Sequence, residues 1–184
     1  MKITKLNLSL RFIIGVFILA ILLQSCGNDT EGKKTWFRDP NGSIHTKDVK
    51  IVQPEIPFTI VIPSYLPSIL GTDYSWGIIG PIKYNYTKEI EVQIGYFEEP
   101  HQIYISERNV MQVMEPTKEL NPVYLDIAGV NVLREKAQMA GSTGITEGLS
   151  FDWNQNGLSF TVKVFSINEE EGIKVVESMI KQTQ

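Results

Sequence analysis

Alternation of apolar and polar positions is clearest in the last quarter of the chain. Leu149, Phe151 and Trp153 alternate with polar residues, Asn156-Gly157 follows, and Leu158, Phe160, Val162 and Val164 alternate again. Period two marks a strand with one buried face. Asn-Gly between two such runs supplies the positive φ that a tight turn needs, so a hairpin is expected. The period then changes to that of a helix. Ile173, Val176 and Ile180, widened by Met179, form an i, i+3, i+7 stripe. Asn168 suits the N-cap, Glu171 three residues on completes a capping-box-like pair, and Glu169 to Glu171 suit the positive helix end. This helix is expected to press its stripe against the sheet.

Upstream, Ile90, Val92, Ile94 and Tyr96 share one strand face, with Glu89, Glu91 and Gln93 on the other. Ile103 and Ile105 resume the alternation after Glu98-Glu99-Pro100, which makes a second hairpin candidate. Val123, Leu125 and Ile127, then Val130 and Val132, alternate across Gly129, a turn or bulge. Residues 107–121 fit a strand or a short helical turn. Residues 71–89, with Gly71, Gly77, Gly80 and Pro81, read as a loop. Pro54, Pro57, Pro63 and Pro67 exclude one long central strand, because proline removes ladder donors; Phe58 to Ile62 reads as an edge strand ended by Pro63. The expected fold class is α+β: an antiparallel β-sheet of short hairpin-connected strands with a C-terminal α-helix packed on one face.

The N-terminus has a different pattern. Residues 1–11 are basic and carry no acid, and residues 12–23 are continuously apolar. Twelve helical residues span about 18 Å, short of a hydrocarbon core of roughly 30 Å. A spanning helix would have to recruit Leu6 to Leu10 and carry Arg11 with it. The layout is that of a secretory signal, and Leu23-Gln24-Ser25-Cys26 resembles the bacterial lipobox. That resemblance implies cleavage between Ser25 and Cys26, S-diacylglycerol on the Cys26 thiol and an acyl group, such as palmitate, on its new amino terminus. Several acyl chains anchor stably where one binds only marginally. Residues 1–25 are thus expected as signal peptide, 26–48 as lipidated cysteine plus polar tether, and 49–184 as a single globular domain. Trp36, Phe37 and Ile44 are out of place in a tether and either pair as a short hairpin or dock on the domain.

Composition removes several function classes. The 184 residues carry a net charge of −4, and the charges before Cys26 are all basic, so the body is more acidic than the whole. An acidic body does not attract phosphate backbones, so no nucleic-acid partner is expected. One cysteine excludes an intrachain disulfide and any Cys-x-x-Cys site. His45 and His101 are far apart and read as surface residues, Glu98-Glu99 beside His101 as a solvated turn, and Asp152 as a solvent-facing position. Residues 140–144, Ala-Gly-Ser-Thr-Gly, lack the lysine of a phosphate loop and read as a flexible loop. No catalytic triad, metal cluster or cofactor motif is legible, so catalytic, metal and cofactor residues are all expected to be none. Tyr65, Tyr74, Trp76, Tyr84 and Tyr86 crowd a loop-rich stretch, where aromatics line a ligand or partner surface or plug the end of a sheet.

Pro63-Ser64-Tyr65-Leu66-Pro67, Trp153 before the turn at Gly157, and Met179-Ile180-Lys181 closing the helix are together similar to a bacterial domain family of unknown function. That family occurs in extracytoplasmic parts of anti-sigma-type membrane proteins and in lipoproteins. The resemblance covers roughly residues 55–182 and implies an extracytoplasmic α+β domain, with Ser68 departing from the glycine usual there. The expectation is therefore a lipid-anchored protein on the outer side of a cell or outer membrane, acting as a non-catalytic binding, sensor or accessory module. Its partners are the membrane and an envelope protein or apolar ligand. The alternative is a carrier or chaperone for a lipid or other apolar ligand; a hydrolase with an unobvious site is a third reading.

Overall fold

The Asn156-Gly157 hairpin forms as its sequence predicts, with both turn residues at positive φ (52° and 78°). It belongs to a nine-stranded antiparallel sheet in a computed structural model that describes residues 36–84, 88–141 and 144–184. Ser25, Cys26 and Tyr86 lie outside the described residues. The strands are β1 (Trp36–Arg38), β2 (Ile44–Thr46), β3 (Ser75–Lys83), β4 (Ile90–Glu98), β5 (His101–Arg108), β6 (Val123–Ile127), β7 (Val130–Gly141), β8 (Gly144–Gln155) and β9 (Leu158–Phe165). Two α-helices are described, the single-turn α1 (Val49–Val52) and the C-terminal α2 (Glu169–Gln182). An antiparallel sheet followed by a helix is the α+β class expected.

The strand order is β1-β2-β3-β4-β5-β9-β8-β7-β6. Two meanders, β1 to β5 and β6 to β9, therefore meet where β5 pairs with β9, from Gln102 opposite Phe165 to Arg108 opposite Ser159. Registry sorts the side chains of the central strands onto two faces. One carries Ile78, Val92, Ile94, Tyr96, Ile103, Ile105, Phe151, Trp153, Phe160, Val162 and Val164, all buried in the main core. Val175, Val176, Met179 and Ile180 of α2 are buried in the same cluster. A Cβ at Gly172 would lie 2.9 Å from the Phe151 ring, so the absent side chain permits that approach. Trp153 and Phe160 stack with centroids 5.0 Å apart. Helix α2 starts as expected: the Asn168 side chain accepts from the Glu171 N–H at 2.9 Å.

Five expectations change. Residues 71–89 are not simply loop, since β3 occupies nine of them; Gly77 and Gly80 lie inside the strand, and Pro81 sits in the register irregularity between Ile79 and Ile82, where a missing donor is tolerated. Phe58 to Ile62 is not a strand. Its main chain bonds to side chains, with Ile60 N–H donating to Gln53 at 3.0 Å and Val61 N–H to both Glu107 oxygens at 3.1 Å. Residues 36–46, read by composition as tether, are the first two strands of the sheet, which is the hairpin alternative for Trp36, Phe37 and Ile44. His45 consequently is buried, stacked on Phe37 with centroids 4.4 Å apart and with Nε2 3.3 Å from Asp39. Residues 109–117 adopt neither strand nor helix.

Candidate functional site

Strand alternation puts a second set of residues on the other face of the sheet. Glu91, Gln93, Ser106, Arg108, Thr161, Lys163, Ser150 and Asp152 all project there, because Gln93, Ser106, Thr161 and Asp152 lie in one register row and Glu91 opposes Arg108. A polar face on an antiparallel sheet ordinarily faces water. Here Glu91, Ser106 and Ser150 are buried. Sequence periodicity read Glu91 as the polar side of a half-buried strand and Asp152 as solvent-facing; Asp152 is instead half-buried inside a hydrogen-bond network.

Glu91 is the centre of this network. Its carboxylate accepts from Ser106 Oγ at 2.7 Å, from Gln93 Nε2 at 2.9 Å and from the Tyr84 hydroxyl. Arg108 Nη2 lies 3.3 Å from Glu91 Oε2, and Arg108 also reaches Glu89 at 3.3 Å through Nη1 and Ser106 at 3.3 Å through Nε. The Arg108 guanidinium carbon stands 6.0 Å from the centroid of the Tyr84 ring, a cation–π distance. Burial, then the Glu91 charge and hydrogen bond, drives the Tyr84 hydroxyl well above its ordinary pKa, so it stays a donor. Three strands along the sheet from Glu91, Asp152 accepts from Ser150 Oγ at 2.8 Å and from Thr161 Oγ1 at 2.5 Å. Lys163 projects between the two carboxylates. Burial pushes its ammonium pKa down, the Asp152 and Glu91 charges push it back up, and Arg108 adds to the lowering. Below this row Tyr104 packs edge-on against Phe97 and Phe165, with centroids 5.1 and 5.9 Å apart.

The connection between β5 and β6 is tied to two strands of this face. Gln112 is clipped to Asn154 by two hydrogen bonds, N–H to Oδ1 at 3.2 Å and Nδ2–H to O at 2.8 Å, and Thr117 N–H donates to Glu135 at 2.6 Å. Asn154 and Glu135 both lie on the polar face by register, Asn154 opposite Ser159 and Glu135 opposite Ser150. The outer side of this strap leaves Val113 85% and Met111 68% exposed.

The four described aromatics of the sequence-based set separate. Trp76 stacks on Tyr96 at 6.1 Å, Tyr74 tilts against the same ring at 5.8 Å, and the Tyr65 hydroxyl donates to Glu171 of α2; all three pack against the main core. Tyr84 alone reaches the polar network. Tyr86 and the lipidation pair Ser25 and Cys26 lie outside the described residues. Glu91, Arg108, Asp152 and Lys163 were not nominated from sequence. For three of them the signal was present, since each is a charged residue between apolar neighbours, Glu91 between Ile90 and Val92, Lys163 between Val162 and Val164, and Asp152 between Phe151 and Trp153, whereas Arg108 ends its strand beside Glu107. Among the described residues no three His, Cys, Asp or Glu side chains converge as metal ligands, and no helix is long and apolar enough to cross a membrane. The chain matches no protein-family model, no curated protein and no solved structure.

Proposed function

We propose that this chain is a lipid-anchored, extracytoplasmic lipoprotein whose globular part is a non-catalytic binding or sensor module. The anchor rests on Leu23-Gln24-Ser25-Cys26 after a short apolar run. In this reading α2 packs against the apolar face of the sheet and leaves the polar face and its strap toward a partner.

The observation that supports the non-catalytic part is the saturation of the Glu91 network. A general base needs a lone pair turned toward substrate, and a general acid needs a proton turned the same way. Glu91 instead takes three donors and an arginine, and Asp152 uses both oxygens on neighbouring hydroxyls. Such a network rigidifies the strands that carry it. It fits a firm presenting surface better than a reaction centre. A carrier for an apolar ligand would need room among Phe151, Trp153 and Phe160, which are buried against one another in the core.

Pull-down from native membranes with the lipidated protein tests the binding reading. One partner should co-purify with wild type and be lost with Met111→Ser/Val113→Ser; retention by the double variant would remove the strap from the surface. Native mass spectrometry of the mature chain addresses cargo, because a co-purifying lipid would favour the carrier. The anchor has its own measurement: Cys26→Ala should abolish detergent-phase partitioning and alter the mature mass, and an unchanged result refutes lipidation.

A further inference from the structure

The segment of residues 58–66, interrupted by Pro63, lies on the apolar face and is attached in an unusual way. Its main chain is bonded to side chains: Phe58 O accepts from Gln53 at 2.6 Å, Ile60 N–H donates to Gln53 at 3.0 Å, Val61 N–H to Glu107 at 3.1 Å, and Ile62 O accepts from Gln182 at 2.8 Å. No ladder secures it, so it can leave the sheet without breaking one. Ile60 and Val61 are nevertheless buried in the main core, so leaving uncovers apolar surface.

Glu107 is the sheet's side of that attachment. It is an acid in the middle of the apolar face, with no exposed surface, flanked in register by Val92 on β4 and Phe160 on β9. Both of its oxygens are equidistant, 3.1 Å, from a single donor, the Val61 N–H. On this side Arg134 pairs with Glu169, and Lys174 with Glu170 and Glu171, so those charges are taken up among themselves; the titratable group that feels the Glu107 charge is Tyr96. The buried Tyr96 hydroxyl has no hydrogen-bond partner, and its pKa is raised by burial, then by Tyr74 and by Glu107. A carboxylate formed here would have one N–H and no cation against it, where burying a charge needs several compensating groups. Protonated, it fits.

We propose that Glu107 is a proton-operated latch: with its proton on, it holds residues 58–66 against the sheet, and loss of the proton releases that segment and opens the apolar face beneath it to water. The latch stands apart from the function proposed above, since it needs neither the polar face nor the strap. Burial pushes the Glu107 carboxyl up to about 8, opposed by the Val61 N–H, from an ordinary 4.5. Opening exposes the carboxyl and returns it to the ordinary value. Linkage then makes the opening equilibrium grow about tenfold per pH unit between the two values and level off above the higher one.

Hydrogen–deuterium exchange of the full-length chain in detergent, from pH 5 to 9, reads this directly. After correction for intrinsic chemical rates, exchange at Thr59, Ile60, Val61 and Ile62 should accelerate about tenfold per unit up to pH 8 and then flatten, while the amides of β4 and β5 stay slow. Glu107→Gln should make the segment's corrected rate independent of pH. A pH-independent wild type, a slope that survives in Glu107→Gln, or an equal slope in β4 and β5 would each overturn the latch. Should Glu107→Gln fail to fold, the comparison of segment with strands in wild type decides alone.

Discussion

Replacing Glu91 by alanine tests whether the polar face is a buried network or a solvated one. The substitution removes the acceptor shared by Ser106, Gln93, Tyr84 and Arg108. The four donors are not equally harmed. Tyr84 is 38% exposed and its hydroxyl can turn to water, Gln93 is half-buried, and Arg108 keeps Glu89. The losses that water does not repair are the Ser106 hydroxyl and the Nη2 side of Arg108. A stranded buried donor costs about 1–3 kcal/mol, and breaking a buried ion pair on one side costs about 3–5 kcal/mol. With Glu89 retained as partial compensation, we expect a loss of about 3 kcal/mol. Urea unfolding of the mature chain at neutral pH, followed by the fluorescence of buried Trp153, measures it, with Arg108→Met and the double variant completing a cycle. Coupling should exceed about 1 kcal/mol and change little between low and high salt, because a buried pair is weakly screened. A loss below about 1 kcal/mol, the range of exposed pairs, would show that water reaches Glu91 and that the covered-network description is wrong.

Four further outcomes are expected. Gly148→Ala should destabilise by about 3 kcal/mol or more, because its Cβ would stand 2.2 Å from the Val164 carbonyl oxygen and 2.6 Å from the Phe165 ring, and the main chain must yield; a Tm within a degree of wild type refutes this. Asn168→Ala should cost about 1 kcal/mol by removing the cap on Glu171 N–H, read by urea midpoint, with Asn168→Ser recovering most of it. Global stability should fall as pH rises from about 4.5 to 8, by at most about 1.4 kcal/mol per unit, because folding raises the Glu107 pKa and the unfolded chain gives up its proton first; Glu107→Gln should flatten this window in calorimetric scans. Tyr65→Phe should change stability by less than about 1 kcal/mol, since the bond to Glu171 lies at the surface, where water replaces it.

What the chain shows of its fold depends on how local the cause is. The β8–β9 hairpin and α2 are legible because an Asn-Gly turn, a period of two and a capped period of 3.6 each act over a few residues. Strand β3 is hidden because Gly77, Gly80 and Pro81 suggest a loop, while its pairing with β2 and β4 is set by neighbours along the sheet. Strands β1 and β2 have three residues each, too few for a period to emerge from polar surroundings. The polar network is half legible. Alternation puts Glu91 and Asp152 on the polar sides of their strands, but Glu91 is closed in by Tyr84 and Ser106, which only the pairing of separate strands brings to it. Glu107 escaped notice because the donor it holds, Val61, lies 46 residues back along the chain.

The meeting of the two meanders has a consequence for how the molecule assembles. Among the described strands every pair except one joins sequence neighbours, so most of the sheet forms by closing short loops, which is entropically cheap. The β5–β9 seam alone joins segments about fifty residues apart, and it carries the middle of both faces, with Ile105 opposite Val162 and Ser106 opposite Thr161. The chain is in effect two locally folding ribbons that become one sheet at a single late ladder. A cut in the strap between them, at residues 113–116, would leave each ribbon whole and turn that ladder into an association between fragments.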